Sequence, residues 1–195
     1  AGICAAGHKA MYNDAWGGLP DKEFLSTLDP ALAELRDKLY EKAYTSDISA
    51  GTINKKWAEI TGLSEGTVVA VGAFDAHMGA VGAAIKEGSL IKIMGTSTCD
   101  LMISEQDQAI QGVCGTVNGS VIPGYVGIEA GQSAVGDLFL WLVNHIVPES
   151  YGKSQGEKFK NLTAQAAEIN AGQTGLLSLD WNNGNRCVLT DMELS

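Results

Sequence analysis

The segment from Thr67 to Ala84 constrains the fold more than any other part of the sequence. Residues 67–72 (TVVAVG) are β-branched and almost wholly apolar, as in a strand that is buried on both faces. They lead directly into GAFDAHMGAVGAA, whose alanines and glycines predict a helix with a small-residue face that another backbone can approach closely. A strand that runs into such a helix is typical of open α/β sheets, which bind ligands at the carboxyl ends of their strands. We therefore predict an α/β fold.

Helices elsewhere in the chain are predicted by their start signals and by the spacing of apolar residues. Asp29-Pro30 offers an N-cap and a proline at the first helical position, ahead of an apolar stripe that runs from Leu32 to Leu39. Three further helices are predicted: one around Trp57 that Gly62 ends, one that Ser133 caps and that carries apolar residues from Val135 to Ile146, and one that begins with a capping box of Ser154 and Glu157.

Strands dominate the prediction from residue 90 onward. Residues 90–94 and 100–104 flank Gly95-Thr96-Ser97-Thr98, which predicts a hairpin. Because the mixed pattern of helices and strands gives way to hairpins at residues 85–90, we expect a domain boundary there. Further strands are predicted at residues 113–117 and 120–122, as a second hairpin around Asn118-Gly119, and at residues 2–6 and 176–181.

The composition argues against several classes of partner. The chain has 195 residues, 45% of them hydrophobic, and a net charge of −10 without a basic run, which disfavours nucleic acid and anionic membrane surfaces as partners. No apolar run reaches the roughly 18 residues of a membrane span, and the amino end lacks the organisation of an export signal. Four cysteines without CxxC spacing and three dispersed histidines predict neither a metal site nor a disulfide framework. We therefore expect a reduced, cytoplasmic protein.

Asp75 is the first candidate for chemistry, because it lies where the apolar strand meets the helix. A carboxylate at that point can accept a proton from a bound ligand. It can also cap the helix, and its position alone favours the cap.

Three other features are compatible with a ligand site. Gly95-Thr96-Ser97-Thr98 offers backbone amides and three hydroxyls with little bulk, as a phosphate site requires, but a plain hairpin turn explains it equally well. Glu129 lies among apolar and glycine residues ahead of a helix. It either contacts a ligand or provides a negative charge that interacts favourably with the dipole of that helix. Lys9 follows a predicted strand, where a solvated loop charge is the simpler interpretation. The dispersion of His8, His77 and His145 favours core or surface positions over chemistry.

Three blocks of the sequence, taken together, resemble the FGGY carbohydrate kinases. They are GAFDAHMGAVGAA, IKIMGTSTCDLMI and GIEAGQSAVGDLFLW, and their order and spacing also fit that family. The opening ICAAGHKAMYN, the form GTSTCD and LDWNNGNR near the end resemble the members that phosphorylate L-ribulose. The resemblance implies an RNase H-like fold of the actin and hexokinase type, present here in part.

The resemblance also implies a division of roles along the chain. Residues 1–87 would finish the first, sugar-binding domain, and residues 88–195 would begin the second, ATP-binding domain. Asp75 would be the general base that takes the proton from the sugar hydroxyl as it attacks the γ-phosphate of ATP. The turn at Gly95, Thr96 and Ser97 would hold the ATP phosphates.

For a kinase that acts on L-ribulose, the resemblance implies that Lys9, Asp75 and Glu129 bind the sugar and that Gln132 approaches the nucleotide. The implied cofactors are ATP and Mg²⁺, and a homodimer is left open. The alternatives are another FGGY kinase acting on xylulose, ribitol or glycerol, and a non-catalytic ATP-binding module of the actin-like type. The family's amino-terminal phosphate-binding turn and its glycine-rich adenosine segment have no counterpart in this sequence. We therefore expect an internal piece of a longer protein, without kinase activity of its own.

Overall fold

The computed structural model describes residues 1–194, which form a mixture of helices and antiparallel strands. The helices are α1 Ile3–Ala10, α2 Lys22–Leu28, α3 Pro30–Arg36, α4 Lys55–Thr61, α5 Asp75–Gly82, α6 Gly136–His145 and α7 Gln155–Ala166. The strands are β1 Ser49–Thr52, β2 Val68–Ala70, β3 Ile91–Met94, β4 Thr98–Ser104, β5 Gly115–Asn118 and β6 Val126–Gln132.

The larger sheet positions the candidate site. Its strands run antiparallel in the order β3-β4-β6-β5, and β1 and β2 form a separate two-stranded sheet. The ladder between β4 and β6 runs from Thr98 opposite Gln132 to Ser104 opposite Val126. Glu129 therefore lies in the middle of β6, with a partner strand on each side.

Several helix boundaries follow the local signals in the sequence. Asp29 caps α3 by accepting a hydrogen bond from the backbone amide of Ala31, with Pro30 at the first helical position. Helix α4 ends at Gly62, which adopts a left-handed conformation with φ of 74°. The predicted capping box of Ser154 and Glu157 starts α7. These predictions are confirmed. Such caps can be predicted from the sequence because they depend on neighbouring residues alone.

The strand predicted at residues 2–6 is wrong, because these residues begin α1. A short apolar run does not distinguish a buried strand from a buried helix by its period. Three of the eight residues in α1 are alanines, the best helix former. Met11 closes the helix in a left-handed conformation, and the backbone amide of Tyr12 donates to the carbonyl of Ala6. Lys9 consequently lies in the last turn of a helix instead of in a loop.

The strand at residues 67–72 is confirmed only in its central part, as β2, and its predicted burial is wrong. All three residues of β2 are exposed, and Val68 keeps 65% of its accessible surface. Strand β2 pairs with the short β1 alone, so within residues 1–194 neither of its faces is covered. The helix predicted directly after it is confirmed as α5.

The first predicted hairpin is confirmed as β3 and β4, but the second is wrong. Strand β5 pairs with β6 instead of with residues 120–122. The chain between them turns at Gly119, whose φ is 74° and whose amide donates to the carbonyl of Tyr125. Pro123 has no amide hydrogen with which to continue a ladder. Residues 120–122 therefore lie in a connecting loop.

Helix α6 is confirmed, but Ser133 does not cap it, since the N-cap position belongs to Val135 and has no side-chain cap. Its predicted apolar face is only partly covered: Val143 is buried, whereas Phe139 and Ile146 are exposed. The strand predicted at residues 176–181 is also wrong, because this segment pairs with no strand in the part of the chain that the structure describes.

Two buried clusters link the first part of the chain to the larger sheet. In the first, Ile3 and Ala6 of α1 pack with Val117 of β5. Gly7 allows this close approach, because a Cβ atom at that position would lie 2.4 Å from Cγ1 of Val117. In the second, Ala80 of α5 packs with Leu101 of β4. Both helices are thereby held against the strands that flank β6.

Candidate active site

Glu129 is the centre of the candidate site. It is 7% exposed and lies on β6. Side chains from α1, from α5 and from the last segment of the chain surround its carboxylate. Its Oε1 atom accepts a hydrogen bond from Nη2 of Arg186. Its Oε2 atom lies 3.7 Å from Nδ1 of His8 in α1 and 3.6 Å from Nε2 of His77 in α5.

Burial decides the charge of the two histidines. It lowers the pKa of His8 to about 4, against the opposing attraction of Glu129. It also lowers the pKa of His77, although Glu129 and Asp75 act in the opposite direction. Both rings are therefore neutral at pH 7, and the ionic partner of Glu129 is Arg186.

Arg186 connects Glu129 to a pair of cysteines. Its Nε atom donates to Sγ of Cys114 at 3.1 Å, and that sulfur lies 3.2 Å from Sγ of Cys187. Burial raises the pKa of Cys114 to about 11, and its hydrogen bond with Cys187 adds to the rise, so its thiol is protonated at pH 7. Burial alone would lower the pKa of Arg186, but Cys114 and Glu129 raise it above its usual value. The guanidinium thus keeps its charge.

Lys9 shares a cavity with Glu129. This cavity has a volume of about 410 Å³, and Ser97 from the turn between β3 and β4 also lines it. The ammonium group of Lys9 lies 5.8 Å from the centre of the Phe74 ring. This cation–π contact is favourable because the face of an aromatic ring carries partial negative charge. A cation, a carboxylate and a hydroxyl therefore converge on one space that is large enough for a small polar ligand.

Asp75 lies at the edge of this arrangement. It is the first residue of α5 and is exposed, and its Oδ1 atom accepts a hydrogen bond from the backbone amide of Ala76 at 2.8 Å. The N-cap position belongs to Phe74, so Asp75 is not the helix cap. It does not line the cavity that holds Glu129 and Lys9.

The turn at Gly95, Thr96 and Ser97 lies against the start of α6. The carbonyls of Gly95 and Thr96 accept hydrogen bonds from the amides of Gly136 and Val135. The amide of Gly95 donates to the carbonyl of Ser97 and is engaged within the turn. A Cβ atom at residue 95 would meet only the carbonyl of Ser97, at 3.9 Å, so the space on that side of Gly95 is open.

Gln132 lies on a different cavity from Ser97. It ends β6 opposite Thr98 and lines a space of about 420 Å³ together with Asp100 and Trp181. The structure therefore brings Lys9, Glu129 and Ser97 together and leaves Gln132 on a neighbouring surface.

The sequence did not indicate His8, His77 or Arg186 as partners of Glu129. The histidines lie far from Glu129 along the chain, and only the packing of α1 and α5 brings them to it. Arg186 lies within LDWNNGNR, and the resemblance of that segment to other kinases does not indicate a contact with Glu129. The one available signal was the isolated carboxylate in the apolar sequence GIEAG, since a buried charge requires a counter-charge.

A comparison with known protein families decides the broader assignment. Residues 90–195, more than half of the chain, match the C-terminal domain of the FGGY family of carbohydrate kinases. The chain belongs to the FGGY family. The resemblance noted in the sequence is thereby confirmed. The FGGY match begins at the strands of the larger sheet.

Curated relatives of this FGGY chain include several ribulokinases. It is 41% identical to the ribulokinase of Vibrio parahaemolyticus over 99% of its own length and 37% of that protein. It is 42% identical to the ribulokinase of Bacillus licheniformis over 98% of its length and 36% of that protein, and 43% identical to that of Geobacillus thermodenitrificans over 98% and 35%. The chain therefore spans little more than a third of the length of these relatives.

Solved structures confirm the fold of the FGGY chain. The xylulose kinase of Rhodospirillum rubrum superposes with a TM-score of 0.64 at 24% identity, covering 80% of this chain and 31% of that one. The gluconate kinase of Lactobacillus acidophilus superposes with a TM-score of 0.61 at 18% identity, covering 88% and 33%. The α/β fold is the actin-like fold of sugar kinases, present in part.

The helices of the described residues also bear on membrane association. Over residues 1–194, none of them combines the length and the apolar character that crossing a bilayer requires.

Proposed function

We propose that this chain is part of a ribulokinase, which transfers the γ-phosphoryl group of ATP to L-ribulose and forms L-ribulose 5-phosphate, as in L-arabinose degradation. The supporting observation is the cavity in which Lys9, Glu129 and Ser97 converge from separate parts of the chain. The identity of 41–43% to ribulokinases over nearly the whole chain supports the choice of sugar.

In this proposal, Lys9 and Glu129 orient the hydroxyls of the sugar by charge-assisted hydrogen bonds. Arg186 holds Oε1 of Glu129, whereas Oε2 lies beside His8 and His77 without a hydrogen bond. A fixed carboxylate positions a polyol better than a mobile one, because less conformational freedom is lost on binding.

Asp75 is proposed as the general base, and as a further contact to the sugar. It takes the proton from the attacking hydroxyl while the new oxygen–phosphorus bond forms and the bond from the γ-phosphorus to the bridging oxygen of ADP breaks. Its exposure and its place at the start of α5 leave both carboxylate oxygens close to solvent, apart from the contact with Ala76. Asp75 does not line the cavity of Glu129, so the proposal requires the sugar to extend beyond that cavity.

ATP would lie over the turn formed by Gly95, Thr96 and Ser97, where the space is open, and Gln132 would approach the nucleotide from the adjoining surface. Mg²⁺ requires oxygen ligands and is commonly held by substrate phosphates together with one or two carboxylates. The clustered donors within residues 1–194, two imidazoles and one carboxylate, do not fit Mg²⁺. We therefore propose that it arrives with the phosphates of ATP.

The same proposal assigns residues 1–87 to the sugar-binding domain and residues 88–195 to the ATP-binding domain. It places the enzyme in the cytoplasm and leaves a homodimer open. These assignments rest on the family relationship, and the chain spans 37% of the length of the ribulokinase of Vibrio parahaemolyticus.

The test is an ADP-release assay on the full-length protein with L-ribulose, D-xylulose and glycerol, for the wild type and for Asp75→Asn. We expect L-ribulose to have the highest kcat/KM, and Asp75→Asn to lose roughly 10²–10⁴-fold in kcat while it still binds the sugar. A preference for D-xylulose or glycerol would contradict the proposed substrate. Normal turnover by Asp75→Asn would contradict its role as the base.

A further inference from the structure

We propose that His8, His77 and Glu129 form a binding site for a divalent transition-metal ion of the zinc class. The three side chains offer ligand atoms that all lie within 4.8 Å of one another. They come from α1, α5 and β6, so the site is assembled by the tertiary fold. The inference goes beyond the proposed kinase and does not rest on it.

The first support is the spacing of the donors. Oε2 of Glu129 lies 3.7 Å from Nδ1 of His8 and 3.6 Å from Nε2 of His77, which is too long for hydrogen bonds. Two ligands of a tetrahedral zinc ion, each bound at about 2.0–2.1 Å, lie roughly 3.3–3.4 Å apart. These two separations exceed this spacing by a few tenths of an ångström, and the ligand atoms of the two histidines lie within 4.8 Å of each other. A small movement of the side chains would suit a shared ion.

The second support is the lack of partners for buried nitrogen atoms. The side chain of His77 is 1% exposed and that of His8 is 7% exposed. Over residues 1–194, both ring nitrogens of His77 and Nε2 of His8 have no hydrogen-bond partner. A buried polar atom without a partner carries a free-energy cost in the folded state. Coordination of Nε2 of His77 by an ion removes part of that cost.

The donor chemistry selects the class of ion. Two imidazoles and one carboxylate are one of the ligand sets found in catalytic zinc sites, and imidazole is a poor ligand for Mg²⁺ or Ca²⁺. Arg186 bonds to Oε1 of Glu129, so Oε2 remains available to the ion while the carboxylate is fixed from behind. The cavity beside His8 and Glu129, which Lys9 and Ser133 also line, gives room for water or an anion at the fourth position.

Such a site has two consequences. The ion would join α1 and α5 to the larger sheet and so stabilise the fold by mass action. It would also engage the carboxylate of Glu129 in the cavity that Lys9 lines. Any ligand that needs this carboxylate would then compete with the ion.

The experiment measures binding of Zn²⁺ to the full-length protein after removal of metals with a chelator, without sugar or ATP. We expect one Zn²⁺ per chain by calorimetry, and a Co²⁺ complex with visible d–d absorption but without a thiolate charge-transfer band. His77→Gln and Glu129→Gln should each weaken Zn²⁺ binding by at least about tenfold. Circular dichroism and the thermal midpoint check that these variants are folded, and His8→Asn offers an independent variant of the site.

Two control variants make the result specific. His145→Gln removes the remaining histidine, which is exposed on α6, and Cys187→Ser removes the member of the cysteine pair that does not bond to the guanidinium of Arg186. Both should keep the wild-type affinity for Zn²⁺. Absence of stoichiometric binding, unchanged affinity in folded His77→Gln and His8→Asn, or loss of binding in Cys187→Ser would each overturn the proposal. Because neither sugar nor ATP is present, these outcomes are independent of the kinase test.

Discussion

Nη2 of Arg186 bonds to Oε1 of Glu129 across 57 positions of the chain. This contact attaches the segment near the carboxyl end to the middle of β6. Since Glu129 is almost fully buried and both neighbouring histidines are neutral, the guanidinium is its counter-charge. The contact therefore serves stability as well as the geometry of the site.

Replacing Arg186 by methionine should destabilise the protein. The change leaves the carboxylate of Glu129 buried without an ionic partner, so we expect the free energy of unfolding to fall by about 1–3 kcal/mol. Urea denaturation measures this. Lys22→Met, which breaks the exposed pair with Asp37, is the control and should cost at most about 1 kcal/mol. In the double variant with Glu129→Gln the two losses should be less than additive; full additivity would show that the pair is not coupled.

Replacing Lys9 by methionine should weaken sugar binding. A hydrogen bond to a charged group contributes about 1.5–3 kcal/mol, so we expect the KM for L-ribulose in the full-length protein to rise roughly 10- to 100-fold, with a smaller change in kcat. Steady-state kinetics provides the measurement. Lys55→Met on α4, away from the cavities described above, should leave KM unchanged. An unchanged KM in Lys9→Met would remove this residue from the sugar site.

Replacing Gly136 by alanine should disturb the turn at residues 95–97. The new Cβ atom would lie 2.4 Å from the carbonyl oxygen of Gly95, so the turn or α6 must move, at a cost of about 1–3 kcal/mol in the free energy of unfolding. We also expect a higher KM for ATP, because the turn is proposed to hold its phosphates. Gly156→Ala in α7 meets nothing within 4 Å and should instead stabilise by up to about 1 kcal/mol. Equal effects of both substitutions would refute the steric explanation.

The stability of the protein should fall at high pH, and Cys99 should account for part of the fall. Burial, with help from the negative charge of Glu129, raises the pKa of Cys99 from 9.0 to about 12. In the unfolded chain this thiol loses its proton above about pH 9, whereas in the folded protein it stays protonated until about pH 12. Rising pH therefore favours the unfolded state over this window.

Urea denaturation at pH 8 and at pH 10.5 measures this effect. We expect a smaller loss of stability between the two pH values in Cys99→Ala than in the wild type. Met102→Ala, on the same strand and without a titrating group, should keep the wild-type loss. An identical loss in the wild type and in Cys99→Ala would show that the folded thiol titrates normally.

Local signals in the sequence predicted the helices better than the strand pairing. The cap at Asp29 and the capping box at Ser154 act within a few residues, so they can be identified without the fold. The pairing of β5 with β6 depends on where the chain turns after Asn118, and the hairpin predicted around Asn118-Gly119 gave β5 the wrong partner strand. The apolar runs at residues 2–6 and 176–181 are too short for their pattern of apolar and polar residues to distinguish a strand from other structures.

The sequence predicted the charged residues of the candidate site but not the contacts that they make. Glu129 was a candidate because of its apolar, glycine-rich setting, whereas Lys9 became one only through the family resemblance, and the fold brings both to one cavity. The partners His8 and His77 could not be identified, since nothing near them in sequence requires a carboxylate. Burial and neutrality of these rings arise only when α1 and α5 pack on the sheet.

The ladder between β4 and β6 makes the site sensitive to the length of the loop that precedes it. Leu101 lies opposite Glu129, and Gly127 and Gly131 share the face of β6 on which Glu129 projects. Insertion or deletion of one residue in the loop at residues 119–125 can shift β6 by one position in the ladder. Ile128 or Ala130 would then face Arg186, and Glu129 would face the opposite side of the sheet. A change of two residues would restore the face but displace the carboxylate along the strand. Functional variants of this protein should therefore tolerate substitutions in this loop far more readily than changes in its length.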